Sequence, residues 1–323
     1  MATTELPKSP GHPFYRQLNQ LLAEAEVDSW LENLCRPHHA EQRGRPSIPP
    51  GVYFRMVLIG YFEGIGSQRG IAWRYSDSRS LAEFLGTPIT EETPDHSSLS
   101  RVHQRLPLEI HEQVFGFVLQ LAADNDLVSG KKVAVDSTTL EANAAMKSIV
   151  RKDTGEDYTA YLRKLAADAG LEDPTDEELR RFDKQRKDKK VPNDEWQSKT
   201  DPDSRIAKMK DGTTHLAYKA EHVVDSETDL VLSASVYDAT QADVNTLLDS
   251  VLQADLNLEA VQPESQIEEV VADKGYHSAA TLQDCDELNF RTYIPEPARK
   301  GERKWTDKPA GPHWQRPSII GPT

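Results

Sequence analysis

At 323 residues, 37% hydrophobic and 28% charged, the chain has the composition of a folded globular protein with room for two domains. Its longest apolar run, around Met56–Phe62, is interrupted by Gly60 and far too short to span a bilayer, and residues 1–10 carry neither the basic start nor the apolar core of a signal peptide. A net charge of −15 is unfavourable for a phosphate-binding protein unless its charges are segregated. Cys35 and Cys285 are isolated, with no CxxC or Cys/His spacing, which argues against structural zinc and fits a reducing, cytoplasmic compartment.

In chain order, the spacing of Leu18, Leu21, Leu22, Ala25, Leu31 and Leu34 predicts a helix over Phe14–Leu34, ended by Pro37. Arg36–Pro50, with Gly44-Arg-Pro46, reads as a loop, and Gly51–Gly64 as an apolar, aromatic helix. Gly64-Ile-Gly66-Ser-Gln-Arg-Gly70 follows a helix and lacks the spacing of a phosphate-cradling loop, so it is not read as one. Short helices are expected over Gly70–Tyr75 and Ser80–Leu85. Asp95 or Ser97 is placed to cap a further helix that carries Arg101 and Arg105 one turn apart, and Leu108–Asn125 completes an all-α domain over residues 1–126.

Between Arg36 and Arg79 there are seven arginines and three acidic residues (7 − 3 = +4), a positive stretch in an acidic chain. Arg43, Arg45, Arg69, Arg74, Arg101 and Arg105 are the candidate DNA contacts. Short helices, tight turns and arginines on a late helix suggest a helix-turn-helix-like module. Helical core packing with solvated arginines fits the same pattern.

From Lys131 the periodicity turns to strands, opening the second domain at residues 127–323. Val133 and Val135 face one side of a strand, Ala134 and Asp136 the other, and Ser137-Thr138-Thr139 is expected to break it. Residues from about 142 to 211 form a charged excursion, read as an exposed helical insertion (Tyr158–Ala169, Asp176–Arg186) or as local disorder. Thr213–Val224 and Asp229–Tyr237 predict a hairpin, in which His215 and His222 have opposite parity and are no metal pair. An amphipathic helix over Asp243–Leu256 is expected to turn Val244, Leu247, Leu248, Val251, Leu252 and Leu256 inward. A strand ending at Asp273, a helix (Ser278–Leu288) and a last strand (Phe290–Ile294) follow.

Two strands thus end in an aspartate. Alone, Asp136 is more simply a turn or cap residue. A crossover that sets its strand beside that of Asp273 would bring both to one sheet edge, where ligands of α/β sheets bind. Carboxylates so close repel and need a proton or cation between them. Their hard oxygens suit Mg²⁺ or Mn²⁺, and two such ions roughly 3.5–4 Å apart serve in-line displacement at a phosphodiester.

Val133-Ala-Val-Asp-Ser-Thr138, Val271-Ala-Asp-Lys-Gly-Tyr276, Thr93-Pro-Asp-His-Ser-Ser-Leu-Ser-Arg101 and Asp201–Lys219 resemble segments of bacterial insertion-sequence transposases of the DDE type. The resemblance covers nearly the whole chain. It implies an α+β or α/β architecture: an all-α N-terminal domain, then a ribonuclease-H-like mixed sheet with flanking helices. It also implies double-stranded terminal-repeat DNA as substrate, strand cleavage and transfer, Asp136 and Asp273 as catalytic metal ligands, and a homodimer bridging two DNA ends. The family's third ligand is a glutamate on a later helix. Here Glu296 lies between two prolines, Glu302 is the one local substitute, and Pro309, Pro312, Pro317 and Pro322 forbid a continuous helix. The expectation is a chain truncated or frameshifted before that glutamate, and the alternative function is that of a non-catalytic DNA-binding remnant.

Overall fold

The structure is a computed structural model and describes residues 11–39, 47–88, 90–186, 193–209 and 211–297. It contains two compact units, Met1–Ser129 with Leu256–Gln266, and Gly130–Asp255 with Ile267–Thr323. Among the described residues no helix is long and apolar enough to cross a membrane.

Seven helices build the first unit: α1 (Pro13–Glu24), α2 (Val27–Cys35), α3 (Pro50–Phe62), α4 (Gln68–Ser76), α5 (Arg79–Phe84), α6 (His96–Arg105) and α7 (Leu108–Ala123). The single helix expected over Phe14–Leu34 is in fact two. Glu26 takes a left-handed conformation (φ 51°), so α1 ends and α2 starts afresh. Tyr15 from the first and Cys35 from the second then join one core with Tyr53, Met56, Ile59 and Leu99. Between α3 and α4, Gly64 (φ +66°) closes a helix terminus: Ile65 N–H donates to Gly60 O at 2.8 Å and Gly64 N–H to Tyr61 O at 3.2 Å. The glycines that superficially look like a phosphate loop are therefore a helix stop. Asp95 is the cap of α6, accepting from Ser97 N–H at 2.8 Å.

The second unit is a six-stranded mixed sheet with an insertion. Its strands are β1 (Lys132–Glu141), β4 (Arg205–Lys208), β5 (Thr214–Asp225), β6 (Val231–Asp238), β7 (Glu269–Ala272) and β8 (Arg291–Tyr293). The order is β6-β5-β1-β7-β8, with β4 beside the first residues of β5. β5 runs antiparallel to β1 and β6, whereas β7 runs parallel to both β1 and β8. A central first strand, an antiparallel meander on one side and two parallel strands on the other is the ribonuclease-H-like arrangement. Its helices include α11 (Ala279–Glu287) and the first part of α10 (Leu247–Val261), whose residues from Leu256 on belong to the first unit.

β1 does not break after Asp136; it runs on to Glu141, because Ser137–Glu141 pair with Ala217–Glu221 of β5. Serine and β-branched threonine tolerate the pleat once a partner strand is present. Within the insertion, β2 (Ile149–Arg151) and β3 (Trp196–Ser198) form a small antiparallel pair, and α8 (Tyr158–Asp168) meets α9 (Asp176–Gln185) through Leu162, Ala166 and Leu179. Thr175 and Glu178 form a capping box at the start of α9.

Candidate functional site

The ladder between β1 and β7 ends at the pair Val135 and Ala272. The next residue on each strand is an aspartate, Asp136 on β1 and Asp273 just beyond β7, where the backbone is still extended (φ −75°, ψ 174°). Alternation sends Val133, Val135, Val270 and Ala272 to one face, where all are buried, and Asp136 and Asp273 to the other. Neighbouring strands lie about 4.8 Å apart, so the two exposed carboxylates share one face, Asp136 midway along β1 and Asp273 at the carboxyl end of β7. Each accepts a backbone N–H on Oδ1: Asp136 from Ser137 at 2.8 Å, Asp273 from Gly275 at 2.6 Å. His222, across the ladder from Asp136, lies on the same face.

A buried polar cluster underlies this edge. Lys219 and Glu221 of β5 are 5% and 0% exposed. The Lys219 ammonium lies 2.7 Å from Asp243 Oδ1, 3.1 Å from Glu221 Oε2 and 2.6 Å from Thr246 Oγ1. Glu221 accepts from Ser250 (2.6 Å), Thr246 (2.8 Å) and the Tyr276 hydroxyl (2.9 Å). Ser137, next to Asp136, donates to Asp243 at 3.1 Å. Burial pushes the Tyr276 phenol well above its ordinary value; Ser137 opposes this and Glu221 reinforces it, so the phenol remains a donor. A Cβ at Gly275 would meet Asp243 Oδ2 and Asp273 Oδ1, each at 2.8 Å, so a side chain there makes a carboxylate shift.

Alternation placed Asp136 and Asp273 correctly on their strands, although only Asp273 ends one. Lys219, Glu221, Asp243 and Tyr276 were not singled out. The available signal was parity, because Lys219 and Glu221 share the buried face of Ala217 and Val223. The expected inner face of α10 is shifted as well: Leu256 is 60% exposed, while Thr246 and Ser250 are buried and bind Glu221.

The pair comprises two acidic residues. Among the described residues no group of three or more His, Cys, Asp or Glu side chains is placed to hold a metal ion. Glu302 lies outside the described residues, as do Arg43 and Arg45. Arg69, Arg74, Arg101 and Arg105 are exposed on α4 and α6. Arg74 is paired with Glu63, and Arg101 and Arg105 donate to Ser97 and Ser47. Arg55, which contributes to the positive stretch in the sequence, is buried and forked onto Asp28 at 2.5 and 2.9 Å, so it adds nothing to the surface charge.

Residues 4–105 match the family model described as "Transposase domain (DUF772)", and residues 130–319 match "Transposase DDE domain". No curated protein matches the chain. A solved structure, "Mos1 transposase paired-end complex with left transposon end", is similar at 11% identity, over 79% of this chain and 61% of that one, with a TM-score of 0.24. The chain thus spans about three fifths of that solved chain. With the second domain model alone covering more than half of its residues, the chain belongs to the DDE transposase family of the insertion-sequence type.

Proposed function

We propose that this chain acts on the ends of an insertion sequence. Its helical unit binds the terminal inverted repeats, and Asp136 and Asp273 hold Mg²⁺ or Mn²⁺ for strand cleavage and transfer in a homodimer. The observation that carries this reading is the register: two aspartates, one step beyond the last β1–β7 pair, on one face of adjacent parallel strands. Hard, exposed carboxylate oxygens at this spacing fit a small divalent cation better than any softer metal. Such cations supply charge that activates a water or 3′-hydroxyl and stabilises a leaving oxygen. The chain's own residues set the two carboxylates side by side and keep the turn at Gly275 tight enough to do so. A cytoplasmic setting fits two isolated, buried cysteines, Cys35 and Cys285.

A second reading is a DNA-binding protein without strand transfer, in which the paired Asp136 and Asp273 carry no chemistry. The full chain is to be mixed with repeat-end and random duplexes, with and without Mg²⁺ or Mn²⁺. Metal-dependent cleavage and joining of repeat-end DNA that disappears in Asp136→Asn is the expected result, and reversing Arg101 and Arg105 to glutamate should remove binding. Retarded repeat-end DNA without cleavage products in the presence of either metal would refute the catalytic reading and leave the second one. Equal affinity for random DNA would refute end recognition.

A further inference from the structure

Between the two aspartates the structure closes a ring of polar contacts. Ser137, covalently next to Asp136, donates to Asp243, and Asp243 pairs with Lys219. Lys219 pairs with Glu221, and Glu221 accepts from Tyr276, three residues beyond Asp273. The turn from Asp273 to Tyr276 is one short 3-10 helix, so the phenol and the aspartate move together. Apart from backbone pairing, this ring links the segment after Asp136 to the segment after Asp273 through side chains held in the interior.

We propose that Lys219, Glu221 and Tyr276 are positioning residues for divalent-cation binding by Asp136 and Asp273, an inference that rests on the function proposed above. Two features distinguish the ring from ordinary core. Lys219 and Glu221 occupy the strand face that hydrophobic residues would fill at less desolvation cost, since a buried ion pair is a poor source of stability. The ring also ends on the residue following one aspartate and on the turn that holds the other. The β1–β7 register stops at Val135 and Ala272, so although β5 holds Asp136 through His222, no backbone pair ties Asp136 to Asp273. The ring supplies that restraint, and Lys219 offsets part of the charge of Asp243 and Glu221 beneath a site that is already anionic. Partners that orient metal-binding side chains typically change affinity by about 10–100-fold when removed.

The test is Mn²⁺ binding to the full chain without DNA, measured by electron paramagnetic resonance titration together with the thermal midpoint. Tyr276→Phe and Ser137→Ala each delete one hydroxyl of the ring and leave every charge in place. Ile206→Val, a core change on β4 outside the ring, is the stability control. The expected result is tight Mn²⁺ binding by the unaltered chain that Asp136→Asn abolishes, a loss of about 10-fold or more in the double variant Tyr276→Phe/Ser137→Ala, and unaltered affinity in Ile206→Val. Unchanged affinity in the double variant overturns the inference and leaves the function standing, as does an equal loss in Ile206→Val. Absence of binding in the unaltered chain, or binding that survives Asp136→Asn, refutes the proposed metal site and the inference with it.

Discussion

Replacing Lys219 with methionine keeps the length of the side chain and removes its charge. Lys219 is 5% exposed, and its ammonium touches two carboxylates and one hydroxyl. Without it, Glu221 stays fully buried with three hydroxyl donors and no countercharge. Breaking a buried ion pair from one side costs about 3–5 kcal/mol. Glu221→Leu costs a comparable amount, because the ammonium is then left with Asp243, which is partly exposed. The double variant Lys219→Met/Glu221→Leu strands neither partner, so its loss should fall short of the sum by about 2 kcal/mol or more, a coupling typical of contacting residues. Urea denaturation followed by circular dichroism gives all three values. Losses that add to within about 0.5 kcal/mol, the additivity of independent sites, would show that the two charges are solvated separately, and the closed ring would then not exist in solution.

Two further predictions concern single positions. Gly275→Ala places a methyl 2.8 Å from an oxygen of both Asp243 and Asp273. One carboxylate has to move and lose a charge-assisted hydrogen bond, so destabilisation of about 2 kcal/mol is expected, with weakened Mn²⁺ binding; stability and affinity both equal to the unaltered chain would refute the close approach. Asp95 is held at about 2, below its ordinary 3.8, chiefly by hydrogen bonds from Ser97. A depressed carboxyl stabilises the folded state above the ordinary value and loses that contribution as the pH falls through about 2. The Ser97 amide nitrogen shift should therefore titrate near pH 2, and a midpoint near 3.8 would mean that the cap is not formed.

Much of the sheet was legible because strand signals depend on parity. Alternation located both aspartates, the hairpin, and the opposite facing of His215 and His222. Long-range pairing was not legible. Ser137–Thr139 look like the end of a strand until β5 is known to run alongside them. The break at Glu26 carries no glycine or proline to announce it, since a left-handed glutamate is tolerated there by packing on both sides. The ring was hidden for a related reason: Lys219, Glu221, Asp243 and Tyr276 are scattered over the chain, and each resembles a surface residue until the strand order brings them together.

The parallel pairing of β1 with β7 also sets an order of events. The β5–β6 hairpin can assemble from local contacts early, whereas β1 must close a loop over residues 142–213 to reach β5 and a longer one, over residues 142–268, to reach β7. Until it does, one edge of β1 is an open strand edge able to pair with other chains, and Asp136 is a solitary carboxylate. The two-aspartate edge is therefore among the last features to form.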